Sequence, residues 1–222
     1  MKVVFLGASN PETIRMIKAV EKINPNFQVL GFIDNDQQKK NTLFYNYKVY
    51  GTIEDLIGLF NLEDIFFINL ITRDTLTRYE TSKHLAKIGC KFTNFIHPTV
   101  DLTMVKLGVG NYIQESVIVQ ADCKIGNNSS IHTGAIIGHE STIGNSVFVA
   151  HGVSISGLVN ICDGVFIGTN ATIAPRVKIG KWATIGAGAV VINDIPDYAT
   201  VVGNPGRIIK MKENEYPDGD IF

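Results

Sequence analysis

Residues 131–190 read IHTGAI IGHEST IGNSVF VAHGVS ISGLVN ICDGVF IGTNAT IAPRVK IGKWAT IGAGAV, a run of hexads that each begin with isoleucine or valine. The same period continues on both sides, so that an aliphatic residue occupies every sixth position from Leu107 to Val191. A fixed six-residue period is typical of a parallel β-helix, in which three hexads form one triangular coil. The fifteen aliphatic positions of the run therefore predict about five coils.

The residues around each aliphatic position fit a tightly turned prism. The position two residues earlier is occupied by a small residue throughout, from Val117 to Ala189, and the residue that follows the aliphatic one is often glycine. Small inner side chains fit a narrow interior, and glycine tolerates sharply turned corners. An ordinary sheet with alternating strands would not produce so long an unbroken period, so the β-helix is favoured.

Residues 1–95 follow a different pattern, in which apolar strands alternate with helical spacing. The predicted strands lie at 3–6, 29–33 and 65–71, and the predicted helices lie at 14–23, 53–60 and 75–88. This alternation predicts a Rossmann-like α/β unit with a parallel sheet. We therefore predict an α/β domain at 1–95, a β-helix at 96–210 and a loose polar tail at 211–222.

Composition excludes several classes of protein. The formal net charge of the 222 residues is −1, which gives no strong attraction toward nucleic acid or a membrane surface. No window approaches the roughly eighteen apolar residues of a membrane span, and the apolar start at 3–6 is too short for a signal peptide. The three cysteines show neither a metal-ligand spacing nor a disulfide framework. A cytoplasmic protein with no nucleic-acid partner is expected.

Three segments resemble the sialic-acid and bacillosamine type of sugar O- and N-acyltransferases, which are hexapeptide-repeat enzymes. These segments are GFIDND at 31–36, TGAIIGHE at 133–140 and VVGNPGR at 201–207. The resemblance covers residues 1 to about 210. It implies a left-handed parallel β-helix, a homotrimer, and transfer of an acetyl group from acetyl-CoA to a nucleotide-linked amino sugar.

The same resemblance implies that His139 is the general base and that Glu140 orients it. An attacking amine or hydroxyl must lose a proton, and histidine is the usual acceptor near neutral pH. A carboxylate beside the imidazole orients it and raises its basicity. Backbone N–H groups of the corner glycines would stabilise the oxyanion that forms from the thioester.

The resemblance also implies where the two substrates bind. Acetyl-CoA would lie between two prisms, along backbone around Gly157, Gly168, Ala174 and Gly186, with its phosphates near Arg176, Lys178, Lys181 and Arg207. Because ligands bind outside the carboxyl ends of parallel strands, the sugar nucleotide would bind at the loops 7–11, 34–36 and 69–73. Its predicted contacts are Ser9, Asn10, Asp34, Asn35 and Arg73.

Two positions depart from the resembled family. The family has a second histidine nine residues after the first, where it helps to bind acetyl-CoA, and this chain has Phe148 there. An apolar ring can line the channel for the donor but makes no hydrogen bond. In the loop after the first strand, Pro11 removes one N–H donor.

Counting along the repeat separates the histidines. His132 and His151 are nineteen residues apart, one coil plus one residue, so they share a corner and are predicted to lie about 5 Å apart. His139 lies at the next corner, too far away for one subunit to bring all three onto a single zinc ion. No metal is expected. Since a single corner offers no cavity, catalysis at His139 is predicted to require a neighbouring prism.

Three functions remain open at this stage. The leading hypothesis is an acetyl-CoA-dependent N-acetyltransferase that modifies a nucleotide-linked amino sugar for surface-glycan synthesis. The alternatives are a metal-dependent hydratase like the γ-class carbonic anhydrases, with the metal held between subunits, and a non-catalytic trimer that binds sugar nucleotides. Transfer to oxygen and the use of another acyl donor also stay open.

Overall fold

A parallel sheet of four strands, in the order β2-β1-β5-β6, forms the core of the amino-terminal unit. In this computed structural model, residues 1–222 are described except 57, 73, 213–215, 218–220 and 222. The strands of this unit are β1 (Lys2–Leu6), β2 (Gln28–Ile33), β3 (Leu43–Phe44), β4 (Tyr47–Lys48), β5 (Ile65–Asn69) and β6 (Lys91–Phe92). Its helices are α1 (Glu12–Ile23), α2 (Ile53–Leu56) and α3 (Thr75–Lys87).

Both faces of the sheet are covered, which explains why residues 3–6 of the central strand β1 are all apolar and buried. Phe5 of β1 packs with Ile17 of α1 on one side, and Val4 packs with Leu85 of α3 on the other. Helix α3 begins at Asp74, whose carboxylate accepts a hydrogen bond of 2.7 Å from the N–H of Thr77. The predicted α/β unit is thus confirmed, with the short antiparallel hairpin β3–β4 and strand β6 as additions.

The β-helix consists mainly of two-residue strands, one for each hexad. They are β7 (Phe95–Ile96), β8 (Lys106–Leu107), β9 (Tyr112–Ile113), β10 (Ile118–Val119), β11 (Lys124–Ile125), β12 (Ser130–Ile131), β13 (Ile136–Ile137), β14 (Thr142–Ile143), β15 (Phe148–Val149), β16 (Ser154–Ile155), β17 (Asn160–Ile161), β18 (Phe166–Ile167), β19 (Thr172–Ile173), β20 (Lys178–Ile179), β21 (Thr184–Ile185), β22 (Val190–Val191), β23 (Ala199–Val202) and β24 (Arg207–Met211). In each hexad the second strand residue is the repeated aliphatic one, and Ile137, Ile155 and Ile173 are fully buried or nearly so.

The strands stack into three sheets, which are the faces of the prism. Face I contains β10, β13, β16, β19 and β22; face II contains β8, β11, β14, β17 and β20; face III contains β7, β9, β12, β15, β18, β21, β23 and, antiparallel at its end, β24. Within a face, most paired residues are eighteen apart in sequence, as Ile118 and Ile136 are. The predicted β-helix of hexapeptide repeats is confirmed.

Three edges join the faces, and each contains a column of residues with positive φ. Glu140 lies on the edge between faces I and II, at φ 58°, and we call this the His139 edge. Asn128 lies on the edge between faces II and III, at φ 58°, and we call this the Asn128 edge. Gly134 and Gly152, at φ 75° and 65°, lie on the edge between faces III and I, which we call the His151 edge.

The α/β unit packs on face III and the Asn128 edge. Phe95 stacks on Tyr112 at the start of face III, with ring centroids 5.8 Å apart. Helix α3 supplies Arg78, whose fully buried guanidinium donates to the backbone carbonyls of Asn128 at 2.7 Å and Gly110 at 3.3 Å. The same guanidinium donates to the carbonyl of Asn69, at the end of β5, at 2.6 Å. One side chain therefore ties the sheet to two successive coils.

The carboxyl-terminal segment is more ordered than the sequence predicted. The described residues of 211–222 fold back, with the ring of Tyr216 stacked 5.2 Å from that of Trp182 and Ile221 buried. Lys212 donates a hydrogen bond of 2.7 Å to the carbonyl of Trp182. The expectation of a loose tail is wrong for these residues, because Trp182 offers an aromatic surface that the repeat pattern does not reveal. No helix in the described part of the chain is long and apolar enough to cross a membrane.

Candidate active site

His139 and Glu140 form a hydrogen-bonded pair on the His139 edge. Nδ1 of His139 lies 3.0 Å from Oε2 of Glu140, and both side chains are more than half exposed, at 55% and 54%. Because a carboxylate only accepts hydrogen bonds, Nδ1 carries the ring hydrogen when the imidazole is neutral. The lone pair is then on Nε2, which is the nitrogen available to take a proton.

Neighbouring coils hold the backbone of His139 on both sides. Its N–H donates to Oε1 of Gln120 at 2.9 Å, and its carbonyl accepts from the N–H of Leu158 at 2.9 Å. Next to it, Glu140 has the left-handed conformation required at the edge. The direction of the imidazole is therefore fixed by the coil geometry as well as by its carboxylate partner.

Gly157 lies one coil after His139, and its backbone is in close contact with the imidazole ring. A Cβ at residue 157 would lie 2.6 Å from Nε2 of His139, so only glycine allows this approach. The N–H of Gly157 makes no hydrogen bond to the described residues. A free N–H beside a proton-accepting nitrogen is the arrangement that stabilises an oxyanion next to a base.

The other residues predicted to contact acetyl-CoA do not come together within one chain. Ala174 joins Gly157 on the His139 edge, whereas Gly168 and Gly186 follow strands of face III and lie on the His151 edge. Phe148 lies on face III, nearly buried, with its ring parallel to that of Phe166 at 4.8 Å. The predicted phosphate contacts are likewise spread over two edges, face II and β24.

A pocket of about 520 Å³ opens at the carboxyl ends of β1, β2 and β5, where the sequence predicted a ligand site. Its lining includes the predicted residues Ser9, Asp34 and Asn35. Asn10 is not part of the lining, because its side chain accepts a hydrogen bond from the N–H of Glu12 at the start of α1. The predicted contact Arg73 lies outside the described residues.

Lys39, Thr72 and Thr81 also line this pocket, although the sequence did not single them out. Lys39 reaches it from a short 3-10 helix, and Thr81 reaches it from α3. Nothing in the spacing of these residues distinguishes them from ordinary surface positions. These residues line the pocket only because of the way the loops fold over the end of the sheet.

Asp34 organises the pocket. Its carboxylate accepts hydrogen bonds of 2.8 Å from the N–H of Ala8 and 2.8 Å from Nζ of Lys39, and another of 3.0 Å from the N–H of Asp36. Burial by itself raises the pKa of Asp34, but these donors outweigh it and hold the pKa below its usual value. Asp34 is therefore ionised at neutral pH and joins the loops after β1 and β2.

The pocket and His139 lie on different sides of the chain. The α/β unit, with its pocket, covers face III and the Asn128 edge, whereas His139 lies between faces I and II. No residue of the β-helix lines the pocket. Within one chain, the predicted sugar-nucleotide contacts are therefore separated from the predicted base.

His132 and His151 stack as the register predicted, with ring centroids 4.9 Å apart. Although both residues lie at one corner, the side chain of His132 is only 4% exposed and does not project from it. Its ring lies beneath that of the exposed His151 and beside Phe148. Among the described residues, no group of three or more His, Cys, Asp or Glu side chains is placed to hold a metal ion.

Comparisons with known proteins agree with this architecture. The family "Bacterial transferase hexapeptide (six repeats)" matches residues 159–193, and "Hexapeptide repeat of succinyl-transferase" matches residues 116–150. A comparison with curated proteins finds no match.

Solved structures match nearly the whole chain. PerB from Caulobacter crescentus, solved in complex with CoA and GDP-perosamine, is 26% identical with a TM-score of 0.83, covering 95% of this chain and 98% of that one. WeeI from Acinetobacter baumannii AYE is 26% identical with a TM-score of 0.81, covering 94% and 100%.

The acetyltransferase domain of PglB from Neisseria gonorrhoeae FA1090 shares the fold. Its TM-score is 0.83 at 23% identity, covering 94% of this chain and 99% of that one. The hexapeptide repeats, the α/β unit before them and these matches together confirm the resemblance predicted from the sequence. The chain is therefore similar to hexapeptide-repeat sugar acyltransferases in its repeats and in its fold, which supports an acyltransferase.

Proposed function

We propose that this protein transfers the acetyl group of acetyl-CoA to the amine of a nucleotide-linked amino sugar, for surface-glycan synthesis. The observation that carries the proposal is the His139–Glu140 pair, with Nδ1 held at 3.0 Å by the carboxylate and Nε2 facing Gly157. The similarity to PerB, solved with CoA and GDP-perosamine, supports both the acyl donor and the class of acceptor.

The chemistry follows from these groups. Nε2 of His139 takes a proton from the amine as its nitrogen attacks the thioester carbonyl. The N–H of Gly157 hydrogen-bonds the oxyanion of the tetrahedral intermediate. When this intermediate collapses, the carbon–sulfur bond breaks, and the leaving thiolate takes the proton from His139. Glu140 stabilises the imidazolium that exists between the two transfers.

We propose that the active form is a homotrimer. Since the pocket and His139 are on different sides of one chain, a sugar nucleotide bound at Asp34 and Asn35 would reach the base of a neighbouring subunit. The exposed apolar row on face I supports such packing, because Ile118 and Ile136 are 53% and 38% exposed. A donor between two prisms would then contact Gly157 of one copy and Gly168 of the next.

A cytoplasmic location is also proposed. Cys90, Cys123 and Cys162 are all free thiols, which suits a reducing compartment. Two of these cysteines are buried.

The proposal is tested by following thiol release from acetyl-CoA with a panel of UDP-, GDP- and dTDP-linked amino sugars. We expect release with at least one amino sugar nucleotide and none with the same nucleotide carrying a hydroxyl in place of the amine. His139→Ala is expected to reduce kcat by about 100-fold or more, the usual contribution of a general base.

His84→Ala is the matched control, because His84 is exposed on α3, away from the His139 edge. It is expected to retain full activity. If His139→Ala were as active as the unaltered enzyme while its assembly was intact, the assignment of the base would be wrong. Thiol release with no acceptor of the panel would contradict the acceptor class.

A further inference from the structure

A buried asparagine, Asn69, ends strand β5 at the edge of the sheet where the pocket opens. Its side chain is closed off from solvent, although residues 70–72, which follow it and which we call the pocket loop, line the pocket. Oδ1 of Asn69 accepts a hydrogen bond of 2.8 Å from the N–H of Ile71, which closes an Asx-turn. Nδ2 of the same amide donates to the carbonyl of Arg78 at 3.2 Å. Asn69 therefore sets the direction in which the chain leaves β5.

A chain of buried hydrogen bonds connects Asn69 to the β-helix. Nδ2 of Asn69 also donates to Oγ of Ser82 at 2.9 Å, and this hydroxyl donates to Oδ1 of Asn128 at 2.9 Å. Nδ2 of Asn128 donates in turn to Oγ of Ser146, one coil further along, at 2.9 Å. All four side chains are at most 1% exposed. The connection between the pocket loop and two coils of the β-helix therefore runs through the interior, with every donor facing an acceptor.

The neighbours of Asn69 allow only one orientation of its amide. The carbonyl of Arg78 only accepts and the N–H of Ile71 only donates, so Nδ2 faces the first and Oδ1 faces the second. Ser82 agrees with this orientation, because its proton is directed to Asn128 and a lone pair is left for Nδ2. A reversed amide would place acceptor against acceptor and donor against donor, which is costly in a buried site.

The carbonyl of Ile71 is held as well as its N–H. The guanidinium of Arg78 donates to this carbonyl at 3.3 Å and to the carbonyl of Asn128 at 2.7 Å. Both backbone polar groups of Ile71 are thus bonded to side chains that connect to the β-helix. Apolar side chains of the same shape often give equal stability, so stability alone does not account for this network. What a fully satisfied buried network adds is a single geometry, here that of the pocket loop.

We propose that Asn69 is a positioning residue for acceptor binding, which holds the pocket loop in the conformation that binds the nucleotide, and that Ser82 and Asn128 hold Asn69 in turn. The inference rests on the proposed function, which supplies a nucleotide as the ligand of this pocket. Asn69 acts through the loop and does not touch the ligand, since it is fully buried and is not part of the lining. Its loss therefore weakens binding of the acceptor without altering the chemical step.

The test interrupts this connection at two places. Asn69→Ala deletes the acceptor for the N–H of Ile71, whereas Asn69→Ser keeps one, since a hydroxyl closes the same kind of turn more weakly. Ser82→Ala leaves Asn69 in place and removes its connection to Asn128. Calorimetric titrations measure the Kd of UDP, GDP and dTDP for each variant, and thiol release gives kcat and the KM of each substrate.

Asn69→Ala is expected to bind the preferred nucleoside diphosphate about 3- to 10-fold more weakly, which is the usual effect of one neutral hydrogen bond. The KM of the acceptor should rise by the same factor, while kcat and the KM of acetyl-CoA stay unchanged, because only uniform binding of the acceptor is lost. Asn69→Ser should lie between Asn69→Ala and the unaltered protein. Ser82→Ala should weaken binding by about 3-fold, since the turn itself remains.

Thr75→Val is the matched control. Thr75 is, like Ser82, a buried residue of α3, and its hydroxyl donates a hydrogen bond of 2.8 Å to the carbonyl of Gly164 in the β-helix. It is not part of the pocket lining. The substitution removes one bond between the same two units without touching the pocket loop. It should lower the melting temperature as Ser82→Ala does and leave the Kd of the diphosphate unchanged.

Unchanged diphosphate affinity in Asn69→Ala or in Ser82→Ala, or an equal loss in Thr75→Val, would overturn the inference and leave the proposed function intact. Ser82→Ala decides the matter if Asn69→Ala does not fold. Failure of the unaltered protein to bind any of the three diphosphates would overturn the inference together with the proposed nucleotide site. Normal diphosphate binding without thiol release would overturn the proposed function, and the Kd values would still decide the role of Asn69.

Discussion

The orientation of the His139 ring depends on the absence of a side chain at residue 157. A Cβ there would approach Nε2, Cε1 and Cδ2 of His139 at 2.6, 2.8 and 3.0 Å. The backbone of Gly157 is not in the left-handed region, so alanine is compatible with the coil itself. The glycine is therefore needed for the position of the imidazole and much less for the fold.

Gly157→Ala is expected to reduce kcat by about 10- to 100-fold, because a displacement of the proposed base, His139, by about 1 Å has effects of this size. The melting temperature should change little, since the ring of His139 is exposed and can turn aside. Steady-state kinetics and thermal unfolding measure the two quantities.

Gly58→Ala is the control for this substitution, because no atom lies within 4 Å of a Cβ at residue 58. It is expected to leave kcat unchanged. Full activity in Gly157→Ala would show that catalysis does not require the His139 ring to lie against residue 157.

His132 should make folding stability depend on pH in acid. Its pKa is about 3 in the folded chain and 6.5 for an unperturbed side chain, so between these values the unfolded chain binds a proton that the native chain does not. The free energy of unfolding therefore falls as the pH decreases through this window, by up to about 1.4 kcal/mol per pH unit from this residue. At higher pH, the contribution of the residue is constant.

Urea unfolding between about pH 7 and about pH 4 checks this dependence. The comparison uses Ser130→Ala and Ser130→Ala/His132→Phe, because His132→Phe alone would leave the buried hydroxyl of Ser130 unpaired. The carboxylates titrate equally in both variants. The stability of the double variant should fall less steeply with decreasing pH. Parallel curves would contradict the low pKa of His132.

At the scale of strands and sheets, the hexads predict the β-helix because each short strand has the same environment in every coil. Ile137 and Ile155, for example, are paired in successive coils, and both are buried. The hexad pattern in the sequence therefore predicts directly which residues are buried. The hairpin β3–β4 and strand β6 are different, since each strand is only two residues long and lacks a repeat. They form where the rest of the α/β unit supplies a neighbour, as Phe67 does for Phe92.

The exposed apolar side chains of Ile118 and Ile136 on face I lead to a prediction about assembly. Ile118→Glu/Ile136→Glu is expected to dissociate the proposed trimer, because it places two charges on a surface that would otherwise be buried between prisms. Sedimentation velocity measures the mass, and circular dichroism checks that the β-helix persists. Thiol release should be lost together with the trimer.

Leu43→Glu is the matched control, since Leu43 is 69% exposed on the hairpin of the α/β unit. Its assembly and activity are expected to match those of the unaltered protein. A trimeric, active double variant would exclude face I as the interface.

At the scale of the whole molecule, the sequence predicts the parts of the site better than their arrangement. The pair His139–Glu140 and the lining residues Ser9, Asp34 and Asn35 follow from motif and strand order. The position of the α/β unit on face III cannot be predicted in this way. It depends on contacts between residues far apart in sequence, such as those of Arg78 with backbone carbonyls of the β-helix. No repeat or motif marks that arginine.

Arg78→Met is expected to destabilise the chain by about 3 kcal/mol, since hydrogen bonds from a charged donor to buried carbonyls are lost. Burial lowers the pKa of Arg78 to about 9, which still leaves the guanidinium charged at neutral pH. Thermal unfolding should also show separate transitions for the α/β unit and the β-helix.

Arg15→Met is the control. Arg15 also bridges the two units, through Glu115, but its side chain is 52% exposed and the ion pair is screened by solvent. We expect a much smaller loss of stability and a single transition. Equal losses of stability for the two substitutions would show that the burial of Arg78 does not make its contacts more stabilising than those of Arg15.

The carbonyl acceptors of Arg78 have a consequence for building chimeras. All of its hydrogen bonds to the β-helix go to main-chain oxygens, which every sequence with this coil geometry provides. A foreign α/β unit can therefore be grafted onto this β-helix if it brings an arginine at the same place on its last helix. If the α/β unit binds the sugar nucleotide as proposed, exchange of this unit would alter which sugar is modified without redesigning the prism.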